Sequence, residues 1–217
     1  MKAIIPVAGA GTKLRPHTYT QPKALIPLAG KTILRIIVDQ LLEAGINEFV
    51  FIIGYLGDKI QDYVREKYPN LNATFVHQSE RHGIGHAILL TRDVVGNDEI
   101  FIVLGDTICE YDIKDLLNTP DSALCVKRVD DPRDFGVVEL NEEGFITRVV
   151  EKPQIPKSNM ALVGIYLIRD TGFLFNCLEN NMRNQVMSRG EFSITDAIEC
   201  MIEQGARFRA FKVQNWF

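Results

Sequence analysis

Short apolar runs alternate with amphipathic segments over the first half of this chain, and this alternation constrains the fold more than any other feature. Four runs have the length and composition of buried strands and lie at residues 2–7, 48–53, 73–78 and 99–106. Helical patterns fill the gaps at 32–44, 56–66 and 84–95. Strands that alternate with helices through short connections predict a mostly parallel mixed central sheet with helices on both faces, a three-layer α/β fold.

The second half of the chain is richer in strands. Segments of strand-like composition predict five further strands at 122–129, 136–140, 145–152, 161–169 and 207–213. Ser193 is placed to cap a helix over 194–204, which Gly205 ends. Because no linker or repeat interrupts the chain, we expect a single domain over 1–217 whose second half is a strand-rich insertion.

The predicted topology brings three separate segments to one edge of the sheet. Open parallel sheets bind ligands at the carboxyl ends of their strands. A glycine-bearing loop follows the first strand, Gln78 ends the third strand and Asp106 ends the fourth. These three segments are therefore predicted to form the functional site.

The loop after the first strand has the sequence AGAGTKLRPHTYTQPK over residues 8–23. Gly9 and Gly11 allow the backbone to approach a ligand and to aim N–H groups at an anion. Lys13, Arg15 and Lys23 supply the positive charge that a triphosphate requires. Solvated basic surface loops show the same pattern, so the loop by itself leaves both interpretations open.

Two better-known phosphate loops are excluded by single residues. A dinucleotide-binding turn needs a third small residue where this chain has Leu14, and Pro16 and Pro22 prevent a helix from starting there. A Walker A motif ending in the GKT of 30–32 needs a glycine where this chain has Leu25. We therefore expect a long phosphate-cradling loop of another kind.

Asp106 and Gln78 extend this interpretation to a nucleoside triphosphate. A carboxylate at a strand end suits Mg²⁺, which takes oxygen ligands and keeps substrate phosphates. A helix cap for 107–117 is the alternative role of Asp106. The Gln78 amide both donates and accepts, as the edge of a pyrimidine requires. Gly83 and Gly85 would let a flat base lie against the backbone, although a glycine turn at a helix start explains them equally well.

Composition and missing motifs argue against several other functions. A net charge of −4 argues against a nucleic-acid partner. No apolar segment is long enough for a membrane span or a signal peptide, so we expect no membrane partner and a cytoplasmic location. The histidines at 77, 82 and 86 form no zinc motif, and no GxSxG nucleophile elbow occurs. The sequence is compatible with assembly into a homo-oligomer.

Seven segments, in order along the chain, resemble the sugar-1-phosphate nucleotidyltransferases, also called nucleotide-sugar pyrophosphorylases. They are GAGTKLRPHTYTQPKALIPLAGKTIL, Q…GIGHA, VLGD, FGVV, VEKP, SNMALVG and GEFSITDAI. The resemblance implies a Rossmann-like fold in which about 1–120 binds the nucleotide and about 121–217 binds the sugar. It also implies Mg²⁺-dependent nucleotidyl transfer from UTP or dTTP to a hexose 1-phosphate, with glucose 1-phosphate as the expected acceptor.

The resemblance assigns a role to each matching position. The nucleotide would be bound by Ala8, Gly9, Ala10, Gly11, Thr12, Gln78 and Gly83. The catalytic set that holds the phosphate groups would be Lys13, Arg15, Lys23 and Lys152. The sugar pocket would be lined by Gly136, Glu151, Asn159, Gly164 and Arg189. Mg²⁺ would be bound by Asp106.

Two departures from the family pattern bear on activity. Lys13 stands where the family usually has Arg, so the charge is kept but the bidentate fork is lost. Family members also continue past Phe217 with an Asp that completes the metal site, so we expect either a truncated chain or a missing ligand. A non-catalytic nucleotide-sugar-binding or regulatory homologue and an enzyme acting on a non-sugar phosphate therefore stay open as alternatives.

Overall fold

A computed structural model describes residues 1–217. The strands, β1 to β13 in chain order, are Lys2–Pro6, Pro27–Leu28, Lys31–Thr32, Glu48–Ile53, Asn72–His77, Ile100–Val103, Cys109–Glu110, Ser122–Arg128, Gly136–Leu140, Ile146–Glu151, Met160–Ile168, Phe208–Lys212 and Asn215–Trp216. The α-helices, α1 to α7, are Ile33–Glu43, Gly57–Lys67, Ile84–Leu89, Arg92–Val95, Ile113–Leu117, Thr171–Arg183 and Ile194–Glu203. The loop after β1 contains 3₁₀ turns at Thr12–Leu14, His17–Tyr19 and Lys23–Leu25. None of the helices is both long enough and apolar enough to cross a bilayer.

A nine-stranded sheet forms the centre of the fold, and its main path runs β10-β9-β11-β6-β1-β4-β5. The four strands β6, β1, β4 and β5 are parallel neighbours, whereas β11 runs antiparallel to β6. The chain moves outward from β1 to β5 and then returns to the other side of β1 as β6. The predicted mostly parallel mixed sheet is confirmed, and its switch in strand order lies between β1 and β6, where such sheets bind ligands.

β11 joins the strand-rich half of the chain to the parallel strands because it pairs with three neighbours. Its second half, from Ile165 to Ile168, pairs with β6, and Ala161 pairs with β9. β8 also pairs with β11, in antiparallel orientation, and β12 pairs in parallel with β8. The strand-rich half therefore extends the same sheet.

Apolar residues cover both faces of the sheet, because successive side chains of a strand point to opposite faces. In β4, Val50 and Ile52 belong to one buried core, whereas Phe49, Phe51 and Ile53 belong to the other. Helices α3, α6 and α7 contribute to the first core, and α1, α2 and α5 contribute to the second. This arrangement confirms the three layers that the alternating pattern predicted.

Side-chain caps fix the starts of two helices in the second half. The Ser193 hydroxyl accepts a hydrogen bond from the Asp196 N–H at 3.0 Å, so the predicted cap of α7 is confirmed. The Asp170 carboxylate accepts from the Phe173 N–H at 3.1 Å and starts α6. Helix α6 was not predicted from the sequence, although this cap is a signal that could have revealed it.

Residues 84–95 form two helices, so the prediction of one continuous helix is wrong there. The Thr91 N–H bonds to the carbonyl of Ile88, three residues back, at 3.0 Å. The Thr91 hydroxyl donates to the same carbonyl at 2.7 Å. Both bonds tighten the turn and interrupt the hydrogen-bond ladder of an α-helix, which separates α3 from α4.

A bulge at Gly164 makes this glycine structurally necessary. The register of β11 against β8 shifts between Leu162 and Tyr166, and Gly164 has a φ of +96°. A Cβ added at Gly164 would lie 2.6 Å from the Thr107 hydroxyl oxygen. Gly205 has a similar φ of +99°, but nothing lies within 4 Å of an added Cβ there.

We expect Gly164→Ala to lower the free energy of unfolding by about 1–3 kcal/mol more than Gly205→Ala. Both substitutions introduce similar backbone strain, but only the new methyl group at position 164 would be overpacked. Urea denaturation of both variants measures the difference. Equal losses of stability would show that the close approach of Thr107 does not constrain β11.

Candidate active site

The loop after β1 is folded around Thr18. Gly11 adopts the left-handed conformation, with φ 59° and ψ 40°. Its carbonyl accepts a hydrogen bond from the buried Thr18 hydroxyl at 2.7 Å. A Cβ at Gly11 would lie 2.8 Å from the Thr18 methyl carbon, so a side chain there would disturb the loop. Gly9 has nothing within 4 Å of an added Cβ, which leaves its backbone open to an anion.

Two of the predicted phosphate-binding cations lie on the exposed part of this loop. Lys13 belongs to the first 3₁₀ turn, and its side chain is exposed. The Arg15 guanidinium lies 5.1 Å from the centroid of the Tyr19 ring. Thr12 is exposed, whereas Ala8 and Ala10 are buried at the foot of the loop. The structure thus groups these residues at one loop but does not bring Lys13 or Arg15 to Asp106.

Lys23 is the loop cation that meets the predicted metal ligand. Its Nζ lies 2.9 Å from Oδ2 of Asp106. Lys23 opens a 3₁₀ turn whose other two residues are buried, which fixes its backbone. Asp106 does not cap the following helix, because Asp112 caps α5. The ion pair therefore joins the glycine loop to the end of β6.

A close approach between β1 and β6 positions this ion pair. The Gly105 N–H donates to the Pro6 carbonyl at 3.2 Å. A Cβ at Gly105 would lie 2.5 Å from a methyl carbon of Val7 and 2.7 Å from the Pro6 carbonyl oxygen. Only glycine permits this contact, so Gly105 fixes Asp106 beside the loop that follows β1.

A cleft of about 720 Å³ opens beside the ion pair. It is lined by Asp106 and by five residues predicted to bind the sugar or its phosphate, Gly136, Glu151, Lys152, Gly164 and Arg189. These residues come from β9, β10, β11 and the segment before α7, so the fold gathers positions that are far apart in sequence. A Cβ at Gly136 would lie 3.4 Å from a carboxylate oxygen of Glu151, so the missing side chain keeps space near this acid.

Three buried polar residues of the cleft, Thr107, Tyr166 and Thr195, were not predicted from the sequence. Burial, reinforced by the carboxylates of Glu151 and Asp106, raises the pKa of Tyr166 and keeps its hydroxyl neutral. Tyr166 stands in the otherwise apolar strand MALVGIYLI. A tyrosine within a buried strand usually has a partner for its hydroxyl, and this signal could have marked the residue.

Two cationic residues of the cleft have unusual backbone conformations. Lys152 has a φ of 42° and Arg189 a φ of 51°, both in the left-handed region that favours glycine. The Lys152 N–H donates to the Phe135 carbonyl at 3.0 Å, which holds this conformation. Such backbone outliers cluster at ligand sites, where the surrounding structure maintains the strain.

Gln78 and Gly83 lie on the segment between β5 and α3. The Gln78 amide nitrogen donates to the Gly83 carbonyl at 3.2 Å and lies 2.9 Å from Nδ1 of His86. Gly83 has a φ of +100°, and an added Cβ would lie 2.4 Å from the carbonyl oxygen of Phe192. Because Phe192 lines the cleft, this segment packs directly against the cleft wall.

Asn159 is the predicted sugar-binding residue that the structure does not bring into the cleft. Its side chain is exposed, and its amide oxygen accepts a hydrogen bond from Arg128 at 2.9 Å. A second cavity of about 790 Å³, lined by residues of α6 and α7, contains none of the predicted site residues.

Asp106 is suited to bind Mg²⁺ only if a substrate supplies further ligands to the ion. No group of three or more His, Cys, Asp or Glu side chains is arranged to hold a metal ion. The Asp106 side chain is 50% exposed and uses one oxygen on Lys23. Protein-bound Mg²⁺ commonly has one or two carboxylates, with phosphates and water as its other ligands, and a single accessible carboxylate suits that form.

The fold and the site together define an α/β protein with a glycine-bearing loop at the switch point of a parallel sheet and, beside it, a cleft lined by both charged and apolar side chains. The chain belongs to the nucleotidyl transferase family, whose family model matches residues 2–217. This match and the relatives described next confirm the predicted resemblance to the sugar-1-phosphate nucleotidyltransferases.

Two curated relatives and one solved structure support this membership. The UTP–glucose-1-phosphate uridylyltransferase AglF of Haloferax volcanii is 33% identical over the whole chain, which spans 89% of AglF. A glucose-1-phosphate thymidylyltransferase of Streptomyces griseus is also 33% identical over the whole chain, which spans 61% of that protein. A crystal structure of UDP-glucose pyrophosphorylase complexed with UDP-glucose has a TM-score of 0.85 and 26% identity, and the match covers 100% of this chain and 92% of that one.

We expect Lys23→Met and Asp106→Asn each to change the free energy of unfolding by less than about 1 kcal/mol, because exposed ion pairs contribute little to stability. The two side chains are 36% and 50% exposed. Leu167→Ala removes a fully buried side chain and serves as the destabilised control, with an expected loss of about 2–5 kcal/mol. Urea denaturation measures all three, and a loss at Lys23 comparable to that at Leu167 would mean that the ion pair is structural.

Proposed function

We propose that this chain transfers a nucleotidyl group from UTP or dTTP to a hexose 1-phosphate, with glucose 1-phosphate as the expected acceptor. The observation that carries the proposal is the Lys23–Asp106 ion pair, with its 2.9 Å contact between the glycine loop and the acid of the cleft. Lys23, which would bind phosphate, thus joins the loop proposed for the nucleotide to the cleft proposed for the sugar phosphate. Both curated relatives are named as glucose-1-phosphate nucleotidyltransferases, which supports glucose 1-phosphate as the acceptor.

The glycine loop would hold the triphosphate. Backbone N–H groups between Gly9 and Thr12 would donate to phosphate oxygens, as open anion-binding loops do. Lys13 and Arg15 would bind the β- and γ-phosphates that leave as pyrophosphate. Arg15 would exchange its contact with the Tyr19 ring for a phosphate.

The proposed reaction is one displacement at the α-phosphorus. An oxygen of the sugar phosphate forms a new P–O bond to the α-phosphorus while the bond to the α–β bridging oxygen breaks. Pyrophosphate leaves with that oxygen and its electron pair. Lys23 would bind the α-phosphate and stabilise the charge that develops there, and no protein side chain forms a covalent bond.

Asp106 would hold Mg²⁺ together with the phosphate oxygens. When Mg²⁺ is bound, it would neutralise part of the negative charge of the phosphates. Lys23 would then exchange its contact with the Asp106 carboxylate for one with the α-phosphate.

The residues of the cleft would hold the sugar phosphate. Glu151 would accept hydrogen bonds from sugar hydroxyls, and the neutral Tyr166 hydroxyl would donate one. Lys152 and Arg189 would bind the phosphate of the acceptor. Asn159 would contribute only by exchanging its hydrogen bond with Arg128 for one with the sugar.

Gln78 and Gly83 would read the base, and the hydrogen bonds of Gln78 favour uracil and thymine. Its amide nitrogen is directed at the Gly83 carbonyl, so the amide oxygen is the atom left for a base. Uracil and thymine both present a ring N–H to such an acceptor. They differ by one methyl group, so the proposal covers both UTP and dTTP.

We expect Lys23→Met and Asp106→Asn each to lower kcat by about 100-fold or more, because each removes a charge from the position where phosphate charge develops. Lys67→Met, at the end of α2 and outside the loop and cleft, is the matched control and should keep wild-type activity. Pyrophosphate release from UTP or dTTP with glucose 1-phosphate and Mg²⁺ measures the effect.

Two results would count against these assignments in different ways. Wild-type-like activity of Lys23→Met would contradict the role given to Lys23. Absence of pyrophosphate release by the wild-type chain with every pair of nucleoside triphosphate and sugar 1-phosphate would contradict the proposed function itself.

A further inference from the structure

We propose that His86 is a positioning residue that fixes the orientation of the Gln78 amide and thereby selects nucleobases that present a ring N–H. The inference rests on the proposed nucleotide site. It follows from the hydrogen bonds around one side chain, whose amide nitrogen lies 3.2 Å from the Gly83 carbonyl and 2.9 Å from Nδ1 of His86.

The orientation of the Gln78 amide is set by the chemistry of its neighbours. The Gly83 carbonyl oxygen can only accept, so the Gln78 atom beside it must be the NH₂ group. His86 Nδ1 lies beside the same nitrogen and must also accept. Both amide protons are therefore used within the chain, and the amide oxygen is the single group that Gln78 offers to a ligand.

His86 is able to accept because its ring is neutral near neutral pH. Burial lowers the pKa of His86, and the nearby His82 lowers it further. Glu80 raises this pKa and so opposes part of the shift. In the neutral ring, the neighbouring Gln78 N–H requires the lone pair on Nδ1, so the ring proton lies on Nε2. The His82 ring stands nearly perpendicular to the His86 ring, and the ring centroids are 5.0 Å apart.

The Gln78 amide oxygen accepts no hydrogen bond from the chain. The side-chain atoms that are buried without a hydrogen-bond partner are Arg169 Nε and Asn181 Nδ2. Gln78 Oε1 is not one of them, and no group of the chain donates to it, so this oxygen reaches solvent although the residue as a whole is only 9% exposed.

His86 supports the orientation of the Gln78 amide in addition to Gly83, because it provides a second acceptor for the amide nitrogen. Rotation of the amide by half a turn would direct its oxygen at the Gly83 carbonyl, which can only accept, and would break that hydrogen bond. The contact with His86 would then form again only if the ring proton moved from Nε2 to Nδ1. With His86 in place, a base whose ring nitrogen is itself an acceptor, as in cytosine and adenine, meets an acceptor on Gln78. Without His86, a single bond to Gly83 opposes the rotation, and cytosine can be accommodated.

The test compares two variants that differ in the acceptor they leave. Leu in His86→Leu has no acceptor, whereas the side-chain oxygen of Asn in His86→Asn lies near the former position of Nδ1. We expect His86→Leu to lower the ratio of kcat/KM for UTP to that for CTP by about tenfold, mainly through KM. His86→Asn should keep this ratio within about threefold of the wild-type value.

The dissociation constants of UTP and CTP give the same comparison without turnover. The chain has a single tryptophan, Trp216, which lines the cleft and serves as a fluorescence probe, and isothermal titration calorimetry is an independent readout. If His86→Leu does not fold, His86→Phe keeps an aromatic ring without an acceptor and takes its place. Thermal unfolding of each variant separates a general loss of structure from a change in selectivity.

The outcomes separate this inference from the proposed function. An unchanged UTP-to-CTP ratio in His86→Leu, or equal losses in His86→Leu and His86→Asn, would overturn the role of His86 even if the wild type is active. A relaxed ratio of dissociation constants in a chain without turnover would support His86 and contradict the proposed function. Failure of the wild type to bind UTP or dTTP more tightly than CTP would overturn the inference.

Discussion

The close approach of β1 and β6 at their carboxyl ends is the constraint on which the site depends. Gly105 allows this contact because it has no side chain to meet Pro6 and Val7. The glycine loop therefore leaves β1 beside the point where Asp106 follows β6. Without this contact, the Lys23–Asp106 pair would have no fixed separation, and the loop cations would belong to an isolated surface loop.

The same strand end also positions the cleft. The Leu104 N–H donates to the Gly164 carbonyl at 2.9 Å, so the segment that follows β6 is bonded to the bulge of β11. β11 in turn pairs with β9, which together with β10 carries Gly136 and Glu151. The acid beside the glycine loop and the wall of the cleft are therefore parts of one hydrogen-bonded unit, which explains how segments so distant in sequence face each other.

The features that the sequence pattern did not reveal share physical causes. Tyr166 stands in a strand that is otherwise apolar, so its pattern matches a core position. Asn159 belongs to a segment that matches the family pattern, but in this structure Arg128 holds its side chain outside the cleft. The break at Thr91 depends on local hydrogen bonds that do not alter the hydrophobic period of the segment. In each case a contact, and not a pattern, decides the outcome.

The sequence by itself determined the layers, the edge of the sheet that carries the site, and the types of residue at that edge. Hydrophobic periodicity records which faces are buried, and ligand binding at strand ends follows from a parallel sheet. Tertiary structure alone decided which of these residues meet. Lys23 and not Lys13 reaches Asp106, 83 positions away along the chain, and the Gln78 amide nitrogen meets the Gly83 carbonyl and His86 Nδ1. These contacts depend on strand order, register and close backbone approach, which the period of a local sequence does not encode.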